Sequence, residues 1–172
     1  MMGNGSPDDF QSNLLIENTG SDEFYLAHNG AGNLVGGTLN VLNSNTATRI
    51  EFCDNANSTL DVTGVATITN TSSGNSTLMI GERGDITFAN NLSLTNNGSG
   101  ATDRFYFASG TDASIIVAGN FVVNNTTSGT NETRSYIGNN GDVTFNGTVA
   151  ITNASGANNS EIYFNHNATS LG

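Results

Sequence analysis

Thr59-Leu60-Asp61-Val62, Asp85-Ile86-Thr87-Phe88 and Asp142-Val143-Thr144-Phe145 repeat one pattern, polar and apolar residues in strict alternation. Each copy is followed by a turn centred on Gly64, Asn90 or Gly147 and then by a second alternating run: Ala66-Thr67-Ile68, Leu92-Ser93-Leu94 or Val149-Ala150-Ile151. A polar Ser/Gly/Asn stretch leads to a third run: Leu78-Met79-Ile80, Phe105-Tyr106-Phe107 or Ile162-Tyr163-Phe164. Period-two alternation is the signature of a strand with one buried and one wet face. The unit is therefore three short strands and three turns.

The unit recurs through the chain. The last apolar residue of run three is Leu26, Phe52, Ile80, Phe107, Ile137 and Phe164, at spacings of 26, 28, 27, 30 and 27. Run two is marked by Ile16, Val41, Ile68, Leu94, Val123 and Ile151, at spacings of 25, 27, 26, 29 and 28. Length varies in the polar stretch before run three and in the turn after it. One such unit cannot bury its apolar side, but stacked units can, because each strand pairs in parallel with its equivalent one unit on. The spacing predicts an all-β fold, a parallel β-helix (β-solenoid) of about six three-strand rungs, each of about 27 residues. At roughly 4.8 Å per rung the column is about 29 Å tall. Right-handed coiling is the rule for parallel crossovers. An antiparallel sandwich or barrel is the alternative, but neither requires a fixed three-strand period with matching columns.

Two columns reinforce the reading. Two positions after the run-two marker stand Asn18, Asn43, Asn70, Asn96, Asn125 and Asn153, one in every rung. By parity they point inward at the corner after the strand, where stacked amides can form an asparagine ladder. The chain has 28 Asn in 172 residues, too few for six matches in six rungs to arise by chance. The turn after run one holds Ser12, Gly64, Asn90, Gly119 and Gly147, with rung two one residue shorter there. Gly and Asn suit a positive-φ position in such a turn.

Composition agrees with a thin core. Leu, Ile, Val and Phe make up 39 of the 172 residues, barely above the roughly 20% below which a charged chain is usually disordered. Lysine is absent, and Arg49, Arg83, Arg104 and Arg134 face fifteen acids for a net charge of -11. That balance argues against nucleic acid and against an anionic membrane surface. No apolar run approaches the roughly 18 residues of a membrane span. Cys53 is alone, so the chain forms no internal disulfide. Residues 1–7 lack the charged and apolar regions of a signal peptide and read as a leader or a processed end. Residues 8–172 read as one solenoid domain.

Asparagine ladders in three-strand coils of 25–30 residues resemble right-handed β-helices of the pectate-lyase type. The Asn/Thr/Gly-rich composition is similar to repetitive segments of large bacterial secreted and surface proteins, including adhesins and autotransporter passengers. The resemblance covers residues 8–172 and is architectural. It implies a stiff extracellular or cell-surface segment.

Chemistry is sparse. The middle residue of run three is Tyr25, Glu51, Met79, Tyr106, Tyr136 and Tyr163 from first rung to last. Its neighbours point inward, so this residue points out. Tyr106, Tyr136 and Tyr163 then form an aromatic column, a platform for sugar rings or lateral contact, or simply a ladder on a solvated face. Two residues earlier runs Glu23, Arg49, Thr77, Arg104, Arg134 and Glu161, most simply exposed cross-rung ion pairs; Arg104 and Arg134 repel unless a carboxylate comes in, and beside the three tyrosines they could grip an acidic or hydroxylated ligand. His28, Asp54 and Glu82 share the turn after run three, where a carboxylate pair suits a hard cation or glycoside chemistry; His166 recurs in the last rung without acids. No G-x-S-x-G, HExxH, P-loop or paired-Cys motif occurs, and the Thr positions of run two are too mixed for an ice-binding face. The expectation is a structural protein rather than an enzyme, with no cofactor or metal: a solenoid unit of an adhesin, surface shaft or filament. A carbohydrate-binding module using the Tyr column is the alternative.

The ends carry a further expectation. Ser170-Leu171-Gly172 matches the start of run one, and Phe10 matches Phe145. Joining Gly172 to Phe10 restores a run-one pattern across two copies, with Leu171 filling the apolar position that Asp8 leaves open. Stacked this way, Asn153 would meet the next Asn18 and Tyr163 the next Tyr25, whereas Glu161 would face Glu23. The partner is then a second copy of the chain, or neighbouring repeats of a longer array from which this segment is cut.

Overall fold

In the computed structural model, residues 2–44, 46, 48–126, 132–154 and 159–164 are described. Eighteen strands follow one another without an intervening helix among these residues. Rung one is β1 (Asp9–Phe10), β2 (Leu14–Asn18) and β3 (Glu23–Leu26), and rung two is β4 (Asn33–Val35), β5 (Leu39–Asn43) and β6 (Arg49–Phe52). Then come β7 (Thr59–Val62), β8 (Ala66–Asn70), β9 (Ser76–Ile80), and β10 (Asp85–Phe88), β11 (Leu92–Asn96), β12 (Thr102–Phe107). The last two rungs are β13 (Ser114–Val117), β14 (Phe121–Asn125), β15 (Glu132–Ile137), and β16 (Asp142–Phe145), β17 (Val149–Asn153), β18 (Asn159–Phe164).

Every third strand pairs in parallel. The three resulting sheets of six strands run β1-β4-β7-β10-β13-β16, β2-β5-β8-β11-β14-β17 and β3-β6-β9-β12-β15-β18. This is the parallel β-solenoid read from the sequence, with five axial steps between its six rungs. The run-two register places Ile16, Val41, Ile68, Leu94, Val123 and Ile151 in one column, as the spacing predicts. Inward positions from the three sheets meet in one core that includes Phe52, Phe88, Phe105, Phe107 and Phe121, all nearly inaccessible. Phe88, Phe107, Phe121 and Phe145 stack in succession, at centroid separations of 6.5, 5.3 and 4.7 Å. Each large side chain so buried contributes about 1.5–3 kcal/mol. That contribution lets so few apolar residues hold the fold.

The asparagine column is a ladder. Asn18 Nδ2 donates to Asn43 Oδ1 at 3.1 Å, Asn43 to Asn70 at 3.0 Å and Asn70 to Asn96 at 2.8 Å. Asn43, Asn70, Asn96 and Asn125 are buried. Beyond Asn96 the partners change: Asn125 Oδ1 accepts from Ser135 Oγ at 2.9 Å, and Asn153 Nδ2 donates to the Ser160 carbonyl at 3.0 Å. These last amides bond to β15 and β18 rather than amide to amide, and Asn125 Nδ2 reaches the next rung through the Glu161 carbonyl at 3.5 Å.

Two expectations about the turns need correction. The turn after run one has three residues in every rung, so rung two is not shorter there and Gly37 joins the column. Its glycines do not have positive φ. They are required by axial crowding: a Cβ on Gly64 would lie 2.5 Å from the Gly37 carbonyl oxygen, and one on Gly147 2.4 Å from that of Gly119. Positive φ falls instead on the residue directly after run three, at Ala27 (54°), Cys53 (51°), Gly81 (69°), Ala108 (54°) and Gly138 (65°). There the chain turns sharply while each amide still reaches the rung before it, as Cys53 N does to the Leu26 carbonyl at 3.1 Å and Ala108 N to that of Ile80 at 2.9 Å.

Residues 2–7, set apart in the sequence as a leader, lie against rung one. Met2 N donates to the Tyr25 carbonyl, and the carbonyls of Met2 and Gly3 accept from His28 and Asn29. The Met2 side chain packs on the core.

Candidate functional site

The third sheet carries the candidate residues, because its alternation sets Phe and Ile inward and Tyr and Arg outward. Tyr106, Tyr136 and Tyr163 lie in register. Their rings stack face to face, Tyr106 on Tyr136 at 4.9 Å and 4°, and Tyr136 on Tyr163 at 5.2 Å and 9°. Stacking covers both faces of the middle ring, Tyr136, which is 8% exposed. The column therefore offers a solvent-facing edge more than a platform. Tyr25 stands apart, edge-on to His28 at 5.1 Å.

The charge column is in register as read, and a carboxylate outside it resolves the arginine repulsion. Glu132 Oε1 accepts from Arg104 at 2.8 Å and lies 3.2 Å from Arg134, while Arg134 Nε donates to Glu161 Oε2 at 2.8 Å. The Glu132 hydrogen bond raises the Arg104 pKa, and hydrogen bonds from Tyr163 and Arg134 lower that of Glu161. Arg49 is similarly occupied. It pairs closely with the buried Glu51 and lies 3.9 Å from Glu23 and 3.8 Å from Glu82. Arg104 and Arg134 have their charges met inside the sheet. They and the tyrosines form one cohesive lateral face.

The turn after run three holds what the sequence reading traced only part-way. His28, Asp54 and Glu82 each follow the positive-φ residue, and Ser109 and Asn139 continue the column. His28 Nδ1 lies 2.6 Å from Asp54 Oδ2. Burial pushes the Glu82 carboxyl above its usual range, with Asp54 adding to the shift and Arg49 and Arg83 opposing it. Among the described residues no group of three or more His, Cys, Asp or Glu is placed to hold a metal ion. His166 lies outside the described residues, as does Leu171 of the expected head-to-tail contact; Phe10 is half-buried against the core. Cys53 is buried in the positive-φ column, and burial pushes its thiol pKa well up.

A groove of about 290 Å3 opens beside this column. It is lined by Met79 and Tyr106 and by residues of three successive turns, among them Glu82, Arg83, Ser109 and Asn139. Sequence reasoning missed it because the turns differ in length, four residues after β9 and six after β12, and so do not align by eye. The signal available was the continuation of the His28, Asp54, Glu82 column.

No protein-family model, curated protein or solved structure matches the chain. The fold therefore rests on its own registers and columns.

Proposed function

We propose that the chain is a structural unit, a stiff solenoid segment of an extracellular bacterial adhesin, shaft or filament, and that it stacks head to tail on a second copy. The observation that carries this reading is the contrast between the last rung and the one before it. Val149, Ile151 and Phe164 are 38%, 47% and 37% exposed, whereas Phe121, Val123 and Ile137 in the same columns are 0%, 1% and 0%. Apolar core positions left exposed at the sixth described rung are a template for further strands, of a second copy or of neighbouring repeats in a longer chain. A second copy supplies matching parity, and such a contact propagates rather than closes. The first rung is better covered, with Ile16 buried and residues 2–3 hydrogen-bonded along β3, so the incoming copy meets β1 and β2 and displaces that segment. The role assigned is mechanical, without catalysis.

Sedimentation velocity across a dilution series tests the reading. Assemblies should grow with concentration, shorten in Ile151→Asp and lengthen when residues 1–7 are deleted. A wild type that stays monomeric at millimolar concentration, with or without those residues, sinks the stacking reading. The carbohydrate alternative is weakened along the column as a whole, because the stacked rings cover one another. A glycan array comparing wild type with Tyr136→Ala and Tyr163→Ala decides whether any of it survives there.

A further inference from the structure

A stack of rings leaves a face uncovered where it stops. Toward the N-terminal side the tyrosine ladder stops at Tyr106, because the register puts Met79 where the next ring would stand. Tyr106 spends one face on Tyr136, and Tyr106 and Met79 both line the 290 Å3 groove. The same groove is lined by polar groups from three rungs: Glu82, Ser109 and Asn139 in one column, with Arg83. Their rungs are spaced by about 4.8 Å, comparable to the width of a six-membered sugar ring. Two features suggest a receptive surface. Ser109 is 7% exposed, yet its hydroxyl has no hydrogen-bond partner among the described residues. Arg83 is mostly exposed, and its ion pair among the described residues is a long contact of 3.8 Å to Asp112.

We propose that this groove binds a single ring of a neutral carbohydrate. The apolar C–H face of a pyranose lies on Tyr106 and Met79, where an aromatic face suits it. Its hydroxyls reach an acceptor in Glu82, a donor in Arg83 and an amide that does both in Asn139. The volume is at the lower end of ligand clefts, which start at roughly 300 Å3, so it suits one sugar unit rather than a long chain. The charge excludes the acidic sugars. Glu82 lies in the wall and Asp112 beside Arg83, and the whole chain carries -11. A uronate or a sulfated ring would bring its negative charge against these carboxylates. The site goes beyond the structural role and does not depend on stacking, so it is tested on dilute protein.

The test is saturation-transfer difference NMR with the methyl glycosides of D-glucose, D-galactose, D-mannose and N-acetyl-D-glucosamine, and with methyl D-glucuronide as the acidic comparator. At least one neutral glycoside should receive saturation at its ring C–H protons. Its Kd should rise at least tenfold in Tyr106→Ala and at least threefold in Arg83→Ala, and hold within twofold in Tyr106→Phe, which keeps the ring, and in Tyr163→Ala, at the far end of the ladder. Arg83 is a surface residue, so its variant reports on binding even if Tyr106→Ala unfolds. No transfer to any neutral glycoside, preferential transfer to the glucuronide, or an Arg83→Ala Kd equal to wild type overturns the proposal.

Discussion

Asp103 is a carboxylate inside the coil. Its column has Ser76 on the preceding rung and Thr133 on the following one, small hydroxyls beside the asparagine ladder. It is fully buried, and Ser76 Oγ donates to its Oδ1. Burial raises its pKa, with hydrogen bonds from Ser76, Asn70 and the Gly100 backbone pulling the other way. A carboxyl whose folded pKa exceeds the unfolded value of about 3.9 binds more protons folded than unfolded between the two values. Stability therefore falls as pH rises from about 4 through the raised pKa. Asp103→Asn should be more stable than wild type at pH 7, and the gap should shrink toward pH 4, as read from urea midpoints at both. A wild type that is the more stable at pH 7 would mean that the hydrogen bonds outweigh the burial. At this scale the sequence was only partly legible. Parity revealed that the ladder points inward, because Asn at a strand end is conspicuous. Nothing in Ala27, Cys53 or Ala108 advertises positive φ, since alanine and cysteine enter that region only when the surrounding structure holds them there.

Strands and turns were easier to read than the contacts between them. Alternation fixes which residues are inside, and the constant three-residue turn after run one fixes where β2, β5, β8, β11, β14 and β17 begin. The reason for the glycines was not legible, because a glycine needed for close approach and one needed for positive φ look the same in a sequence. The two predict different outcomes. A Cβ on Gly119 would lie 2.6 Å from the Asn90 carbonyl carbon and from the Asn91 nitrogen. Gly119→Ala should therefore cost about 1–3 kcal/mol through overpacking alone, and a midpoint equal to wild type would show that the rungs can spread. The ladder permits a second comparison. Asn70 accepts from Asn43 and donates to Asn96 and to Ser76, so Asn70→Leu strands three buried partners and should cost about 1–3 kcal/mol. Asn97, exposed on the next turn, should tolerate alanine within about 0.5 kcal/mol. Equal midpoints for the two variants would refute a stabilising ladder. The Glu132 bridge between Arg104 and Arg134 was not legible either. It lies after a connection that runs from four residues, between β2 and β3, to six, between β14 and β15, so sequence columns drift there.

The whole molecule is a one-dimensional stack, in which each rung contacts only its neighbours and stability is a sum of rung and interface terms. Such a molecule has no single global unfolding unit; opening starts where one interface is missing. Two consequences follow from the unlike ends. Rung one is supported by Met2 and the backbone of residues 2–3, whereas every residue of β17 is exposed and the Phe164 ring of β18 is only partly covered. Amide hydrogen exchange on dilute protein should therefore show a gradient. Protection should be greatest in β8 and β11, which have a paired strand on both sides and buried ladder amides, intermediate in β2 and least in β17. Raising the concentration adds the missing interface and should slow exchange in β17 and at β1 and β2 while leaving β8 and β11 unchanged. If protection rises uniformly instead, the association is a global stabilisation rather than the addition of a rung. If β17 is as protected as β8 in the dilute monomer, the last rung is already covered and the driving force for stacking disappears. The net charge of -11 makes the same effect salt-dependent. Copies stacked along one axis repel over a Debye length of about 10 Å at 0.1 M salt and about 3 Å at 1 M. Added salt should therefore move the selective protection of β17 to lower protein concentration.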